Sequence, residues 1–509
     1  MLNWLEKLLR GAPAGVSARD EAEALLRSAL AHQQAGRYGD AERYLYRALA
    51  LQPDAAGIHL QLGNLFSETG RHEAAMQSCR EAVKLAPDSA QAHNNLGNAC
   101  KELGRHDEAL TEYRHAIGLD EGLPEAHFNL ANVLWRRGDA RQAADGYRTA
   151  LRLRPGFALA HLNLGYALEE DGDTAGAMAS YSAAVAADPG LVEAHVNLGM
   201  QQLLAGRLAE GWEEYEWRLR YPEYGGADAA AKAPRWDGGA LGGRAILLDA
   251  EQGFGDAIQF VRYAPLVAAR GGRVIVRCAP ELRTLFESVA GVAAVACRGD
   301  PLPAFEALCP MPSLPRAFGT TLANVPADVP YLRADPAKAA RWRARLAEAG
   351  GKCRVGLVWA SQSKHRTAAA KSIPLAELAP LGAVPGVRFY SLQLGEAARE
   401  ALRPPAGMRL TDLSRELADF SDTAAVAANL DLVICVDTAV AHLAGAMGLP
   451  TWTFVKFAPD WRWLLGRGDS PWYPTMRLFR QQRRGEWSAP VESAAQALRQ
   501  FAADERGSG

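Results

Sequence analysis

The sequence lacks paired cysteines, long apolar runs and blocks of like charge. Its seven cysteines are odd in number, scattered and without a C-x-x-C pair, which predicts buried free thiols in a reducing compartment. No apolar stretch reaches the roughly 20 residues that span a bilayer, and the start of the chain lacks the pattern of a signal peptide. The net charge of −2 argues against general binding to nucleic acid or acidic membranes. We therefore expect a cytoplasmic protein with no transmembrane segment and no nucleic-acid partner.

At 509 residues, the chain is too long for a single hydrophobic core, so several domains are expected. The sequence divides into an N-terminal amphipathic segment at 1–19, a repeat region at 20–220, a linker at 221–243, and two α/β halves at 244–335 and 336–509. The linker is marked by glycine and proline, which interrupt helices and strands.

Small residues recur every 34 positions through the repeat region. Three series keep this register: Gly36, Gly70, Gly104, Gly138, Gly172 and Gly206; Gly63, Gly97, Ala131, Gly165 and Gly199; and Ala41, Ala75, Ala109, Ala143, Ala177 and Gly211. Small residues let paired helices approach closely, and glycine suits the turn between them. The pattern resembles the tetratricopeptide repeat and predicts an α solenoid of stacked helix pairs with a concave face.

Amide side chains recur at the same spacing on the first helix of each predicted repeat, at Gln61, Asn95, Asn129, Asn163 and Asn197. An amide offers two donors and an acceptor, so a ladder of amides can hold the backbone of an extended polypeptide. Its position resembles the ladder of O-linked N-acetylglucosamine transferase, which implies a polypeptide acceptor on the concave face. Hydrogen bonding between neighbouring helices is the alternative. The histidines two residues before each amide lie too far apart to share one metal ion, so we expect them to pack.

The first α/β half begins with one βαβ unit. Arg244–Asp249 and Arg273–Cys278 read as buried strands, joined by a glycine-rich turn and a helix at Ala257–Ala269. The turn is not a dinucleotide fingerprint, because Ile258 occupies the place of the third glycine. Asp256 either caps the helix or faces a cleft, and its place at a helix start predicts a lowered pKa.

The second half carries polar residues where predicted strands end. A strand at Cys353–Ala360 leads into a basic loop at 361–366, a strand from Val387 ends at Gln393, and a buried strand at Leu432–Val436 runs into Asp437-Thr438 and a helix. Helix starts and basic loops at the carboxyl edge of a parallel sheet suit phosphate groups. The alternatives are an ordinary capped helix and a solvated loop.

The motifs at Gly253–Gln259 and Val436–Pro450 resemble the heptosyltransferase type of glycosyltransferase, family nine, which has a GT-B fold of two Rossmann-like domains facing a cleft. The resemblance implies that Asp256 is the catalytic base, that Gln259 faces the acceptor, and that a nucleotide-sugar donor binds at a set of residues from both halves. This set is Gly253, Gly255, Ser361, Lys371, Gln393, Glu396, Asp437, Thr438, Ala439 and His442. Trp461 and Trp463 depart from the family pattern; they either stack on the ligand or fill a core edge.

Together these features predict an inverting glycosyltransferase that needs neither a metal ion nor a cofactor and takes the nucleotide-sugar as substrate. The only Asp-x-Asp is Asp171-Gly172-Asp173, at a repeat turn, and no hydrolase or P-loop motif occurs. The repeats are expected to recruit a protein acceptor. The alternatives are a scaffold with a catalytically silent transferase-like domain, and a transferase acting on a saccharide or lipid-linked acceptor.

Overall fold

The computed structural model describes residues 17–225, 233–348, 353–362 and 368–507. The predicted amphipathic segment therefore lies almost wholly outside the described residues, as do the middle of the linker and Lys364, His365 and Arg366 of the basic loop. The chain forms two compact units, one ending at Ala194 and the other beginning at His195. No helix in the described ranges is long and apolar enough to cross a membrane.

The first unit is built from antiparallel helix pairs. Its helices are α1 Ala18–Gln34, α2 Tyr38–Leu51, α3 Ala56–Glu68, α4 His72–Leu85, α5 Ala90–Glu102, α6 His106–Leu119, α7 Pro124–Arg136, α8 Ala140–Leu153, α9 Ala158–Glu170 and α10 Thr174–Ala187, followed by α11 Val192–Leu204, which continues into the second unit. The turn glycine of each predicted repeat has φ between 71° and 88°, a conformation that side chains with a Cβ disfavour. The 34-residue periodicity is thus confirmed as a helical solenoid.

The second small-residue series allows an aromatic ring to lie between paired helices. A Cβ added at Gly97 would lie 2.6 Å from the ring of Tyr113, which is fully buried. Ala131 breaks this series, and Gly146 on the facing helix compensates, because a Cβ there would lie 2.8 Å from that of Ala131. In these two repeats, a small residue on one helix therefore matches the size of the residue that faces it on the other helix.

Three of the ladder amides donate hydrogen bonds to other asparagines on the preceding first helix. Asn95 donates to Asn64 Oδ1 at 2.6 Å, Asn129 to Asn94 Oδ1 at 3.0 Å, and Asn163 to Asn132 Oδ1 at 2.8 Å. The alternative of bonding between neighbouring helices is therefore observed. Contact with a peptide stays a prediction for Gln61, Asn95, Asn129 and Asn163. Asn197 lies in the second unit and is buried.

Three of the recurring histidines bind the backbone. Nε2 of His59, His127 and His161 lies 3.1, 3.0 and 2.8 Å from the carbonyl oxygen six residues earlier. A carbonyl only accepts, so each ring donates from Nε2 and secures the turn before its helix.

The second unit contains two fully parallel sheets. A four-stranded sheet has the order β3-β2-β1-β4, with β1 Ala245–Asp249, β2 Arg273–Cys278, β3 Val292–Cys297 and β4 Ala307–Pro310. A six-stranded sheet has the order β10-β9-β8-β5-β6-β7, with β5 Cys353–Val358, β6 Val387–Ser391, β7 Leu410–Asp412, β8 Leu432–Val436, β9 Thr451–Val455 and β10 Met476–Arg480. This is an α/β architecture, as predicted.

Helices connect and cover these strands. They are α12 Leu208–Tyr215, α13 Pro222–Gly225, α14 Phe254–Phe260, α15 Ala264–Ala269, α16 Arg283–Glu287, α17 Leu314–Ala317, α18 Pro336–Glu348, α19 Ala368–Lys371, α20 Ala379–Gly382, α21 Phe420–Ala427, α22 Ala439–Ala446 and α23 Ser488–Gly507. The helix predicted at Ala257–Ala269 is broken into α14, a 3₁₀ turn and α15, and Pro265 lies near the break. The short β7 and the edge strand β10 were not predicted.

The aromatic end of the repeat region packs against the α/β structure within the second unit. Trp212 is buried against Phe260 and Trp461, and its indole N–H donates to the Thr320 carbonyl at 3.1 Å. Trp217 instead stacks on His195, with ring centroids 3.5 Å apart. Trp212 therefore joins the end of the repeat region to the α/β structure, whereas Trp217 packs locally.

Replacing Gly97 with alanine is expected to lower the free energy of unfolding of the repeat unit by about 1–3 kcal/mol, because the added Cβ overlaps the Tyr113 ring. The matched control is Gly118→Ala in the same repeat, where no atom lies within 4 Å of an added Cβ; this change should stabilise α6 by about 0.5–1 kcal/mol. Calorimetry of the full chain measures both. Equal effects of the two variants would contradict the packing explanation.

Candidate active site

The turn after β1 brings α14 close to α22. Gly253 is the N-cap of α14, and a Cβ at Gly255 would lie 2.9 Å from Cδ2 of His442. The glycine therefore makes room for a side chain of the same chain, whereas sequence reasoning assigned that room to a ligand. The close approach places Asp256, in the first turn of α14, beside the start of α22.

Asp256 is held by an arginine that sequence analysis did not assign. Its carboxylate accepts a hydrogen bond from Arg462, whose guanidinium also binds Asp460 Oδ1 at 2.7 Å and Gln259 Oε1 at 2.7 Å. Arg462 is one-tenth exposed and Asp256 about one-fifth. The pairing of Asp460 and Arg462 two residues apart in Pro-Asp-Trp-Arg-Trp is the only sequence signal of this network.

The two carboxylates that share Arg462 differ in basicity. Burial raises the pKa of Asp256 despite the opposing charge of Arg462. For Asp460, Arg462, Lys371 and a backbone N–H outweigh burial and lower the pKa to about 2. The lowered pKa expected for Asp256 from its place at a helix start is therefore wrong, because desolvation exceeds the effect of the helix end.

The junction between β8 and α22 contains a second ion pair. Lys371 Nζ lies 2.7 Å from Asp437 Oδ2, with the two side chains 22% and 9% exposed. Asp437 raises the pKa of Lys371, so the ammonium stays charged although burial opposes it. The charge of Lys371 also acts on Asp256 and Asp460, which places the two ion pairs in one electrostatic environment.

Thr438 is the N-cap residue of α22, but its hydroxyl makes no capping hydrogen bond. Among the described residues, Thr438 Oγ1, Gln259 Nε2 and Trp463 Nε1 are buried polar atoms without a partner. A buried donor or acceptor left unsatisfied costs about 1–3 kcal/mol. Unpartnered polar atoms close to two ion pairs are typical of a site that a polar ligand completes.

His442 supports this site as a neutral ring. It is buried, its Nδ1 lies 2.9 Å from the Tyr473 hydroxyl, and it stacks on Trp463 with centroids 5.3 Å apart. Burial and the charge of Arg462 lower the pKa of His442 well below its usual value. Trp461 and Trp463 are both buried, so they fill a core edge as the alternative interpretation had it.

A cavity of about 590 Å³ opens beside these groups. Its lining includes the two glycines of the β1 turn, Thr438 and Ala439 from α22, and Ser361, Gln393 and Phe420 from the six-stranded half. This volume lies within the range of small-molecule sites, about 300–1,000 Å³. Most residues predicted at the donor site therefore meet around one space.

Two predicted contacts are placed differently. The Gln393 amide is fully engaged with backbone, accepting from the N–H groups of Trp359 and Ala360 and donating to the carbonyls of Ala360 and Leu394. It shapes the end of β5 and reaches the cavity as part of its wall. Glu396 is exposed and begins a 3₁₀ helix. Like Asp256, Lys371, Asp437 and His442, it is not among the residues that line the cavity.

Comparison with known proteins identifies the repeats. Models of the tetratricopeptide repeat match residues 26–90 and 128–192, and related repeat models match 78–111 and 97–138. The first unit therefore consists of tetratricopeptide repeats, as the 34-residue period predicts.

Protein FlbA of Caulobacter vibrioides is 31% identical over 336 residues, a match that covers 59% of this chain and 54% of FlbA. The chain thus spans about half the length of that relative. The matched share is larger than the repeats alone occupy, so the similarity continues into the α/β region.

Three solved structures are each similar to part of this chain. The crystal structure of MamA is 24% identical, covering 32% of this chain and 94% of that chain at a TM-score of 0.29. PilF of Pseudomonas aeruginosa is 21% identical, with coverage of 40% and 90% and a TM-score of 0.35. TTC0263 of Thermus thermophilus is 20% identical, with coverage of 36% and 99% and a TM-score of 0.33.

Asp256→Asn is expected to melt at a higher temperature than the parent chain at pH 7.5. Because burial raises the pKa of Asp256, its contribution to stability is fully present below pH about 4, where both states are protonated, and is lost as the pH rises through the folded-state pKa. The neutral amide escapes that loss, so its advantage should shrink on acidification. Calorimetry between pH 4 and 7.5 measures it.

The control for this pH series is Asp300→Asn. The Cys297 N–H and Arg283 lower the pKa of the exposed Asp300, so its stabilisation is present at neutral pH and is lost on acidification. The two amide variants should therefore shift melting in opposite directions at pH 7.5. An advantage of Asp256→Asn that grows towards pH 4 would show that the carboxyl is stabilised in its ionised form.

Proposed function

We propose that the protein is an inverting glycosyltransferase of GT-B type, which transfers a sugar from a nucleotide-sugar to an acceptor that the repeats recruit. The observation that carries the proposal is that the charge of Lys371, which is paired with Asp437, acts on Asp256, while Gly255 and Thr438, next to Asp256 and Asp437 in the chain, line one cavity. A base and a cationic, N–H-rich site for a diphosphate are the two groups that such a transfer needs.

Asp256 is the proposed base. It takes the proton of the acceptor hydroxyl as the hydroxyl oxygen attacks the anomeric carbon, and the bond from that carbon to the diphosphate oxygen breaks with its electrons passing to the nucleoside diphosphate. A base is most effective when its pKa approaches the working pH, and burial moves Asp256 in that direction. Attack opposite the leaving group inverts the anomeric configuration.

The leaving diphosphate needs fixed positive charge. Lys371 and the free N–H groups at the start of α22 supply it, with the unpartnered Thr438 hydroxyl available as a further hydrogen-bond donor. Lys371 binds Asp437, which holds the ammonium in place until phosphate oxygens share it. Arg462 and Asp460 keep the proposed base oriented from the other side.

A protein acceptor is the favoured acceptor class because the ladder amides are already oriented. An amide carries two N–H groups, so Asn129, which donates one to Asn94, has a second that can reach a peptide carbonyl. In the proposed enzyme, the repeats recruit the acceptor and the α/β region transfers the sugar.

The proposal is tested with a thermal-shift panel of nucleotide-sugars on the full chain, followed by intact mass of candidate proteins co-expressed with it. One nucleotide-sugar should raise the melting temperature more than its free sugar does, and acceptor mass should rise by one sugar. Nucleotide binding without any mass change on protein, saccharide or lipid-linked acceptors would favour a silent scaffold.

Asp256→Asn should lower the turnover number by about 10²- to 10⁴-fold while leaving the dissociation constant for the donor within about twofold, because the base acts on the acceptor. Single-turnover mass spectrometry and donor titration measure the two quantities. Lys371→Met is the contrasting variant: it should weaken donor binding at least tenfold. Retained turnover in Asp256→Asn, together with lost donor affinity, would contradict the assignment of Asp256 as the base.

The double variant Asn129→Ala, Asn163→Ala should raise the KM for a protein acceptor about tenfold or more without altering donor binding or kcat, because the proposed role of these amides is to hold the acceptor backbone and they lie outside the donor site. Ser67→Ala, in the same unit and outside the ladder, is the control. An unchanged KM would show that the amides only form the hydrogen bonds between helices described above, and that the acceptor binds elsewhere.

A further inference from the structure

The third helix pair of the repeat unit contains a group of potential metal ligands that the proposed transfer does not use. His93 on α5 is buried, whereas Glu112 is partly exposed and His115 exposed, both on α6. One nitrogen or carboxylate oxygen from each residue lies within 4.8 Å of the others. Two imidazoles and a carboxylate at this separation are a common ligand set for zinc.

The tautomer of His93 follows from the repeats. As in the neighbouring repeats, Nε2 of His93 lies near a carbonyl oxygen six residues earlier, 3.1 Å from Pro87 O, so this nitrogen carries the hydrogen. Nδ1 then presents its lone pair towards Glu112 Oε2 at 2.6 Å. Two acceptors this close need a cation between them, which is either a proton or a metal ion.

A second histidine–carboxylate pair supplies an internal comparison. His195 Nδ1 lies 2.5 Å from Glu214 Oε2, at the same sequence separation as His93 and Glu112. At the place that corresponds to His115, this pair has Trp217, whose ring stacks on His195 with an interplanar angle of 3°. Only the first pair therefore has a third ligating side chain among the residues that the structure describes.

We propose that His93, Glu112 and His115 bind a zinc-type divalent transition metal that joins α5 to α6. The Nε2–H of His93 bonded to Pro87 O is the outer hydrogen bond that fixes a metal-binding imidazole in its ligating tautomer. Zinc bonds to nitrogen and oxygen are about 2.0–2.2 Å long. His115 is exposed, so its ring can turn to place its nitrogen at that distance from an ion held by His93 and Glu112. The fourth position stays open to water.

The test is calorimetric titration of the chelator-treated full chain with Zn²⁺ alone. All seven cysteines are buried, so thiols do not compete in the folded chain. One equivalent should bind, and it should raise the melting temperature of the repeat unit. His115→Thr, which introduces the residue found one repeat later at Thr149, should weaken this binding at least tenfold, and Glu112→Gln should do likewise.

Glu214→Gln is the matched control and should leave zinc affinity within about twofold of the parent. Metal-free melting temperatures of His115→Thr and the parent should agree, because the removed ring is exposed, and this separates ligand loss from misfolding. Less than one equivalent bound, or equal affinity in the parent and in both ligand variants, would overturn the site and leave a proton between His93 and Glu112.

Discussion

The buried guanidinium of Arg462 is the contact around which the functional residues of the second unit are arranged. A guanidinium removed from water costs several kcal/mol unless its donors are met, and here Asp256, Asp460 and Gln259 meet them. Asp256 and Gln259 lie on the helix after β1 of the four-stranded sheet, whereas Asp460 and Arg462 follow β9 of the six-stranded sheet. The contacts that neutralise this charge therefore also fix a carboxylate across the boundary between two sheets.

Arg462 affects the pKa values of the two carboxylates that it contacts to different extents. Asp460 receives both the guanidinium and the backbone N–H of Arg462, and its pKa falls to about 2. Asp256 has a raised pKa, because the guanidinium offsets only part of the cost of its burial. A pair of titratable groups driven apart by their surroundings is a common basis for assigning acid and base roles. Here Asp460, with the lower pKa, neutralises Arg462, and Asp256 is the more basic group.

Features that repeat or depend on strand ends could be predicted from the sequence. The 34-residue period predicted the solenoid, and the ends of parallel strands indicated where Lys371 and Asp437 pair and where Asp256 lies. Arg462 was missed because its contact with Asp256 spans 206 positions. Strand β10, Met-Arg-Leu-Phe-Arg, was missed because it is a short edge strand without regular alternation of apolar and polar residues. The sign of the Asp256 pKa shift was wrong because local sequence does not report burial depth.

The repeat amides show how an interior hydrogen bond and an open surface can coexist. Bonds such as that from Asn163 to Asn132 fix the side-chain torsions of both amides before any partner arrives. Ordering a rotamer-rich side chain on binding costs about 0.5–1.5 kcal/mol, so amides already fixed by their neighbours have less to lose when a peptide binds. The bonding between helices thus prepares the ladder for an extended backbone, and the two interpretations of the amides that the sequence left open are compatible.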